Sequence, residues 1–198
     1  MANLFELNGI NDVTREEGDG YTTISFFLSY VKNKDNVNGD PVPKQGDRTM
    51  LMPSKDAKPI ENNGKKYYLK TDFWIKHYLS TEIEKNIEHM KKQLTVIKMQ
   101  NHFNFLPFTK KVAIEQLVFF FYPLKSFTKS KLESIANGKY ELKDTRPDLD
   151  NLEKLFYDVL NWVVYGDDGK IVRKNNIFKC YSFKPGVFVK IKGELWKK

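Results

Sequence analysis

The run Arg146-Pro147-Asp148-Leu149-Asp150-Asn151-Leu152-Glu153-Lys154 and the pair Asp167-Asp168 hold the groups best suited to chemistry. Pro147 biases Arg146 to an extended conformation, so a helix is expected to begin just after it. Asp150 then falls at or near the N-cap, where a carboxylate accepts backbone N–H bonds. Lys154 lies four residues on, above Asp150 on the same helix face. Asp148, two residues earlier in extended chain, can point to the same side. Two carboxylates and an ammonium are therefore expected at one helix entrance. Asp167-Asp168, in a loop flanked by glycines, returns another carboxylate there if that loop folds back.

Clustered carboxylates repel each other, and a cation relieves the repulsion. Oxygen-only ligands suit a hard ion, and magnesium keeps several waters that a phosphate substrate can displace; manganese is the alternative. Such a site can polarise a phosphodiester, lower the pKa of a water and neutralise developing charge. Lys154 adds a positive charge near the scissile phosphate. Blander roles stand beside these: helix capping and turn formation for Asp148 and Asp150, and an i,i+4 surface pair with Asp150 or Asp158 for Lys154, worth about a few tenths of a kcal/mol.

The flanking pattern shows what must position this entrance. Leu152, Leu155, Phe156, Val159, Leu160 and Val163 recur at helical spacing over 150–163. Ile171 to Ser182 reads as a strand, Lys184-Pro185-Gly186 as a turn and Val187 to Lys192 as the partner strand, with Val187, Val189 and Ile191 on one side. Val112 to Tyr122 is apolar enough for a sheet interior, and Thr22 to Val31 is an earlier strand. Thr81 and Glu84 fit a capping box, followed by the stripe Ile83, Ile87, Met90 and Leu94. Ser130 and Glu133 fit the cap of a short helix before an Asn137-Gly138 turn. Residues 32–70 carry turn signals, so loops are expected there, with a short hairpin at Asn63-Gly64. Lys44, Arg48, Lys65 and Lys66 in this stretch are either DNA contacts or plain surface. The order implies α/β (α+β) architecture: one mixed β-sheet with helices packed on it.

Bulk properties narrow the class. A chain of 198 residues with 40% hydrophobic and 14% aromatic content buries a core in one domain without disulfide or metal staples. The formal net charge is +8. Residues 1–30 hold only Arg15 against five acids, whereas residues 170–198 hold nine Lys or Arg against Glu194. A basic tract of that kind is a footprint for a polyanion or a solvated surface. The single cysteine, Cys180, excludes an internal disulfide and a multi-cysteine zinc site, and its alternating context marks a core thiol. His77, His89 and His102 lack metal-ligand spacing. There is no P-loop, G-x-S-x-G or nucleotide-binding glycine fingerprint. With no signal peptide and no long apolar run, a cytoplasmic chain without membrane contact is expected.

The stretch Arg146 to Ile171, with D-L-D-N-L-x-K and then D-D-x-x-I, resembles the signature of RusA-like endonucleases, the Holliday junction resolvase family. The resemblance implies a small α/β, magnesium-dependent homodimer, often encoded by bacterial phages or prophages, that resolves four-way DNA junctions in recombination and repair. It places metal-binding carboxylates on Asp148, Asp150 and Asp168, the functional lysine on Lys154 and a structural amide on Asn151, with no small-molecule cofactor. Two departures stand out: Lys170 occupies a position where the family usually has glutamine, and the N-terminal region is longer. Asp167 is the fallback third ligand.

The expected organisation is one RusA-like domain over 1–198, with 1–110 a variable N-terminal part and 111–198 the catalytic core. Arg146, Lys170, Arg173, Lys174, Lys190 and Lys192 are the expected DNA contacts. Rival readings are a non-catalytic protein that binds branched or single-stranded DNA, a metal nuclease acting on flaps, forks or RNA, and a structural phage protein.

Overall fold

The structure, a computed structural model, describes residues 14–18, 20–43, 48–53, 60–62, 65–67, 73–78, 81–100, 108 and 110–194. Its contacts divide the chain into two compact units, Met1–Lys44 with Lys85–Lys198, and Gln45–Glu84. In chain order the strands are β1 (Thr14–Gly18), β2 (Tyr21–Leu28), β3 (Arg48–Pro53), β4 (Ile60–Asn62), β5 (Lys65–Tyr67) and β6 (Phe73–Tyr78). Helix α1 (Thr81–Gln100), β7 (Val112–Phe121), α2 (Lys129–Ala136) and α3 (Leu149–Leu160) follow. A 3-10 turn (Asp168–Lys170), β8 (Ile171–Lys174), β9 (Ile177–Tyr181) and β10 (Gly186–Glu194) complete the described elements.

The larger unit is built on a six-stranded mixed sheet in the order β1-β2-β10-β7-β8, with β9 also on β7. β7 is its centre because its sequence allows nothing else: the run Leu117 to Phe121 is buried throughout. β10 lies antiparallel along one edge of β7, and β8 and β9 lie parallel along the other. Phe188 faces both Phe27 and Val118 across the ladder, and Val118 faces Phe178. This row, with Phe120 and Cys180, forms an aromatic core on one side of the sheet. On Cys180, burial pushes the thiol up to about 12, as befits a core residue. Gly186 begins β10 at φ 153, where a Cβ would overlap the Phe27 ring and sit 2.6 Å from the Leu28 carbonyl oxygen. Only glycine permits that approach.

Several local expectations change. Ile171 to Ser182 is two strands, because Asn176 takes a left-handed φ of 47 and Asn175 turns its amide to Glu115. β9 and β10 are not partners; they flank β7 on opposite sides. Their link rounds the end of β7, where Ser182 N–H donates to the Phe121 carbonyl at 2.7 Å. The helix expected over 150–163 stops at Leu160, leaving Val163 in the following turn. α2 is capped by Thr128, not Ser130.

On α1, Ile83, Met90 and Leu94 are buried as the stripe implies, but Asn86 is buried and Ile87 only half-buried. Asn86 Oδ1 accepts from Val31 N–H at 2.9 Å, and Gln93 exchanges hydrogen bonds with the Ser29 backbone. A polar seam therefore docks this helix beside the chain leaving β2, satisfying backbone groups that burial would otherwise orphan. His89 lies on the same seam, its Nε2 3.4 Å from Ser29 Oγ.

The smaller unit holds two antiparallel pairs. β4 and β5 form the hairpin expected around Asn63-Gly64, with Asn62 opposite Lys65. β3 pairs with β6, Leu51 opposite Ile75 and Met52 opposite Trp74. Loops were expected over the β3 segment, because turn residues surround it and its apolar partners lie more than twenty positions away. Arg48 thus begins β3, Lys65 and Lys66 lie on β5, and His77 lies on β6. Lys44, the Asn63-Gly64 turn itself and His102 fall outside the described residues. No described helix is long and apolar enough to cross a membrane.

Candidate active site at the entrance of α3

The chain reaches α3 along β9. Leu142 bridges Cys180, Tyr181 N–H donates to the Glu141 carbonyl, and Lys143 N–H donates to the Lys179 carbonyl. The Lys179 ammonium then holds the carbonyl oxygens of Thr145 and Pro147, each at 2.6 Å. The Arg146–Pro147 bond is cis, and Asp148 follows as the N-cap with φ −69 and ψ 144. The cap itself is Asp148, two residues before Asp150, which lies near it in the first turn.

Asp148 makes no side-chain capping bond, so its exposed carboxylate keeps its acceptor capacity. Asp150, in the first turn, lies 3.0 Å from Lys154 Nζ, both side chains more than 60% exposed. The hydrogen bond from Lys154, foremost, and its charge hold the Asp150 carboxyl below its ordinary value. A pair this exposed adds little to stability, so its value lies in holding an ammonium and a carboxylate together at the helix entrance. The buried side of α3 fixes this display. Leu152, Leu155, Phe156, Val159 and Leu160 are fully buried, and Phe156 meets Phe119 of β7 edge-on at 6.2 Å.

Asp168 does not return to this entrance. Ile171, just beyond it, pairs with Val112 at one end of β7, whereas Lys179, beside Asp148, pairs with Phe119 near the other. The seven residue steps from Val112 to Phe119 span roughly 20 Å of strand. Burial chiefly, then the Tyr157 hydroxyl and the carboxylates of Asp168, Asp158 and Asp167, raise the Tyr165 hydroxyl. The loop cannot fold back because Val164 and Tyr165 are fully buried and Phe108 N–H donates to the Val164 carbonyl at 2.7 Å. Asp167 is occupied locally, accepting from Gly169 N–H at 2.8 Å.

In kind, these donors fit a hard cation: exposed carboxylate oxygens, with those of Asp148 unused in capping. In arrangement, no three His, Cys, Asp or Glu side chains among the described residues are placed to hold one metal ion.

The expected DNA contacts are dispersed. Lys174 is bound to Glu153 at 3.0 Å and stands over the Tyr157 ring, tying β8 to α3. Arg173 holds Glu115 at 2.6 Å, and Lys190 lies 3.6 Å from Glu16. Burial alone would raise Glu115, but Arg173, Asn175 and Lys192 together lower it. Lys192 covers the Tyr21 ring, Lys170 closes the 3-10 turn, and Arg146 is exposed beside Asp148.

Sequence reading missed Lys179, whose only signal was a lysine at a half-buried strand position. Burial first, then the Lys143 charge, lowers its ammonium pKa against the opposing pull of Asp148 and Asp144. Lys179→Met is expected to cut the activity that the resemblance implies by about 10–100-fold, the usual cost of losing a group that orients a site, without weakening substrate binding. Lys179→Arg should restore most of the loss, since a guanidinium also donates to two carbonyls. Equal activity in all three proteins would remove the clamp from the account.

The chain matches the family model of endodeoxyribonuclease RusA over residues 59–192, more than half of its length. No curated protein matches it significantly. The match extends upstream of residue 111. A mixed α+β sheet, an acidic helix entrance with its lysine and this match converge on one conclusion: the chain belongs to the RusA endodeoxyribonuclease family.

Proposed function

We propose that this endodeoxyribonuclease is a magnesium-dependent enzyme that resolves four-way DNA junctions as a homodimer. The observation that carries the reading is the exposed entrance of α3, where Asp148 begins the helix and Asp150 pairs with Lys154, in a chain matching this family. Asp148 and Asp150 would hold the divalent ion, with Asp168 as the third carboxylate. Bound there, magnesium would polarise the phosphodiester and acidify the attacking water. Lys154 would place its ammonium against the phosphate as negative charge develops. Arg146, Lys170, Arg173, Lys174, Lys190 and Lys192 would track the phosphates of the arms, exchanging weak surface pairs for DNA contacts. Such an enzyme would serve recombination and repair in the cytoplasm of a bacterium, encoded by the host or a phage.

A two-fold dimer suits a junction whose two symmetry-related strands must both be cut. It also answers the separation of the carboxylates, since a second copy can bring its Asp168 to the first copy's α3 entrance. Mixing Asp150→Asn with Asp168→Asn chains tests this. In mixed dimers one site carries both substitutions and the other carries none. The mixture is therefore expected to recover single-strand nicking that neither variant shows alone. Mixed dimers as inactive as their parents would overturn the shared site.

A further inference from the structure

We propose that Trp162 is a stacking contact for an unpaired nucleobase at the branch of the DNA; this rests on the branched-DNA reading above. Trp162 follows the C-cap of α3 and is 79% exposed, the most exposed large apolar side chain among the described residues. Its backbone takes φ 65, a left-handed conformation that disfavours any residue with a Cβ and that glycine adopts freely. The turn that imposes it is rigid: Trp162 N–H donates to the Tyr165 carbonyl at 2.7 Å, Val164 N–H donates to the Leu160 carbonyl at 2.9 Å, and Val164 and Tyr165 are fully buried. A bulky indole thus stands in solvent on a strained and fixed support, where neither folding nor packing calls for it. Outliers of this kind collect at functional positions.

The surroundings select the partner. Phe108 pairs with the Val164–Tyr165 turn and leads to Lys110 and Lys111 at the start of β7, while Tyr165 leads to Lys170. These three lysines line an open groove of about 430 Å³ with Gly169, Val172 and Glu194. Lys111 and Val172 continue it into a second hollow of about 320 Å³ that Arg173 and Lys192 also line. Lys110 neutralises the one acid in the groove, Glu194, at 3.2 Å. An exposed indole on a turn that Phe108 and Tyr165 connect to a basic groove suits a surface that tracks a nucleic-acid backbone and stacks its bases. A continuous duplex keeps its bases stacked; a branch point exposes some, so the contact favours branched DNA.

The test compares the wild type with Trp162→Gly and Trp162→Phe, binding four-way junction and linear duplex in EDTA to prevent cutting. Stacking on one base is typically worth enough that Trp162→Gly should weaken junction binding about 5–100-fold. Duplex binding should change less than about twofold, Trp162→Phe should retain most of the affinity, and Trp162→Gly should melt no lower than the wild type. Junction affinity equal to the wild type in Trp162→Gly overturns the stacking role while leaving the branched-DNA reading intact. A wild type that binds junction no better than duplex sinks that reading first and the stacking role with it. Loss of both affinities together with the dimer, seen by sedimentation, would assign Trp162 to a subunit contact and overturn the proposal.

Discussion

Asp150→Asn is expected to lower junction cleavage by about 10²–10³-fold while junction binding stays within about twofold, because a lost carboxylate ligand forfeits several kcal/mol of transition-state stabilisation. The substitution keeps the size of the side chain and removes its charge. It also takes the charge from the acceptor that holds Lys154 at 3.0 Å, so the ammonium is held by a weaker, neutral hydrogen bond. The folded state should hardly notice, since the pair is exposed. Cleavage assays beside a melting curve separate the two effects. Wild-type cleavage would take Asp150 out of the mechanism, and a large drop in melting temperature would make its role structural.

Phe156→Ala has the opposite signature. The ring is fully buried and meets Phe119 at an interplanar angle of 86°. Truncating a buried phenylalanine costs about 3–5 kcal/mol through lost transfer energy and the cavity left behind. In a chain of this size that lowers Tm by roughly 6–20 °C. Because Phe156 seats α3 on β7, activity should fall with the folded fraction and return on cooling. A loss of cleavage at temperatures where the variant is fully folded would mean that Phe156 tunes the entrance directly. An unchanged Tm would contradict the packing of α3 on the sheet.

Local chemistry was legible wherever it depended on neighbours in sequence. The apolar stripe of α3, the central place of β7, the β4–β5 hairpin and the Asp150–Lys154 pair all follow from spacing within a few residues. Long-range choices were not. Whether β10 joins β9 or crosses to the far edge of β7 is decided by which strands compete for the apolar centre. A turn signal at Pro185-Gly186 carries no information on that. The β3–β6 pair joins segments that each look unremarkable until matched. At the site, the entrance was visible, but the path of the loop that carries Asp168 was not. Spacing gives the length of the loop after α3, while the burial of Val164 and Tyr165 that pins it away from Asp148 depends on Phe108, more than fifty residues earlier. Lys179 and Trp162 were passed over for related reasons. One acts through backbone carbonyls that no motif records, and the other is marked by a backbone angle rather than a residue pattern.

The most direct measurement is cleavage of a labelled synthetic four-way junction, beside linear duplex and fork controls, with and without magnesium. The account predicts paired, symmetric nicks near the crossover that require the metal and spare the duplex. Binding without nicks in either magnesium or manganese would contradict it, and the acidic entrance of α3 would then be a structural feature of a DNA-binding protein.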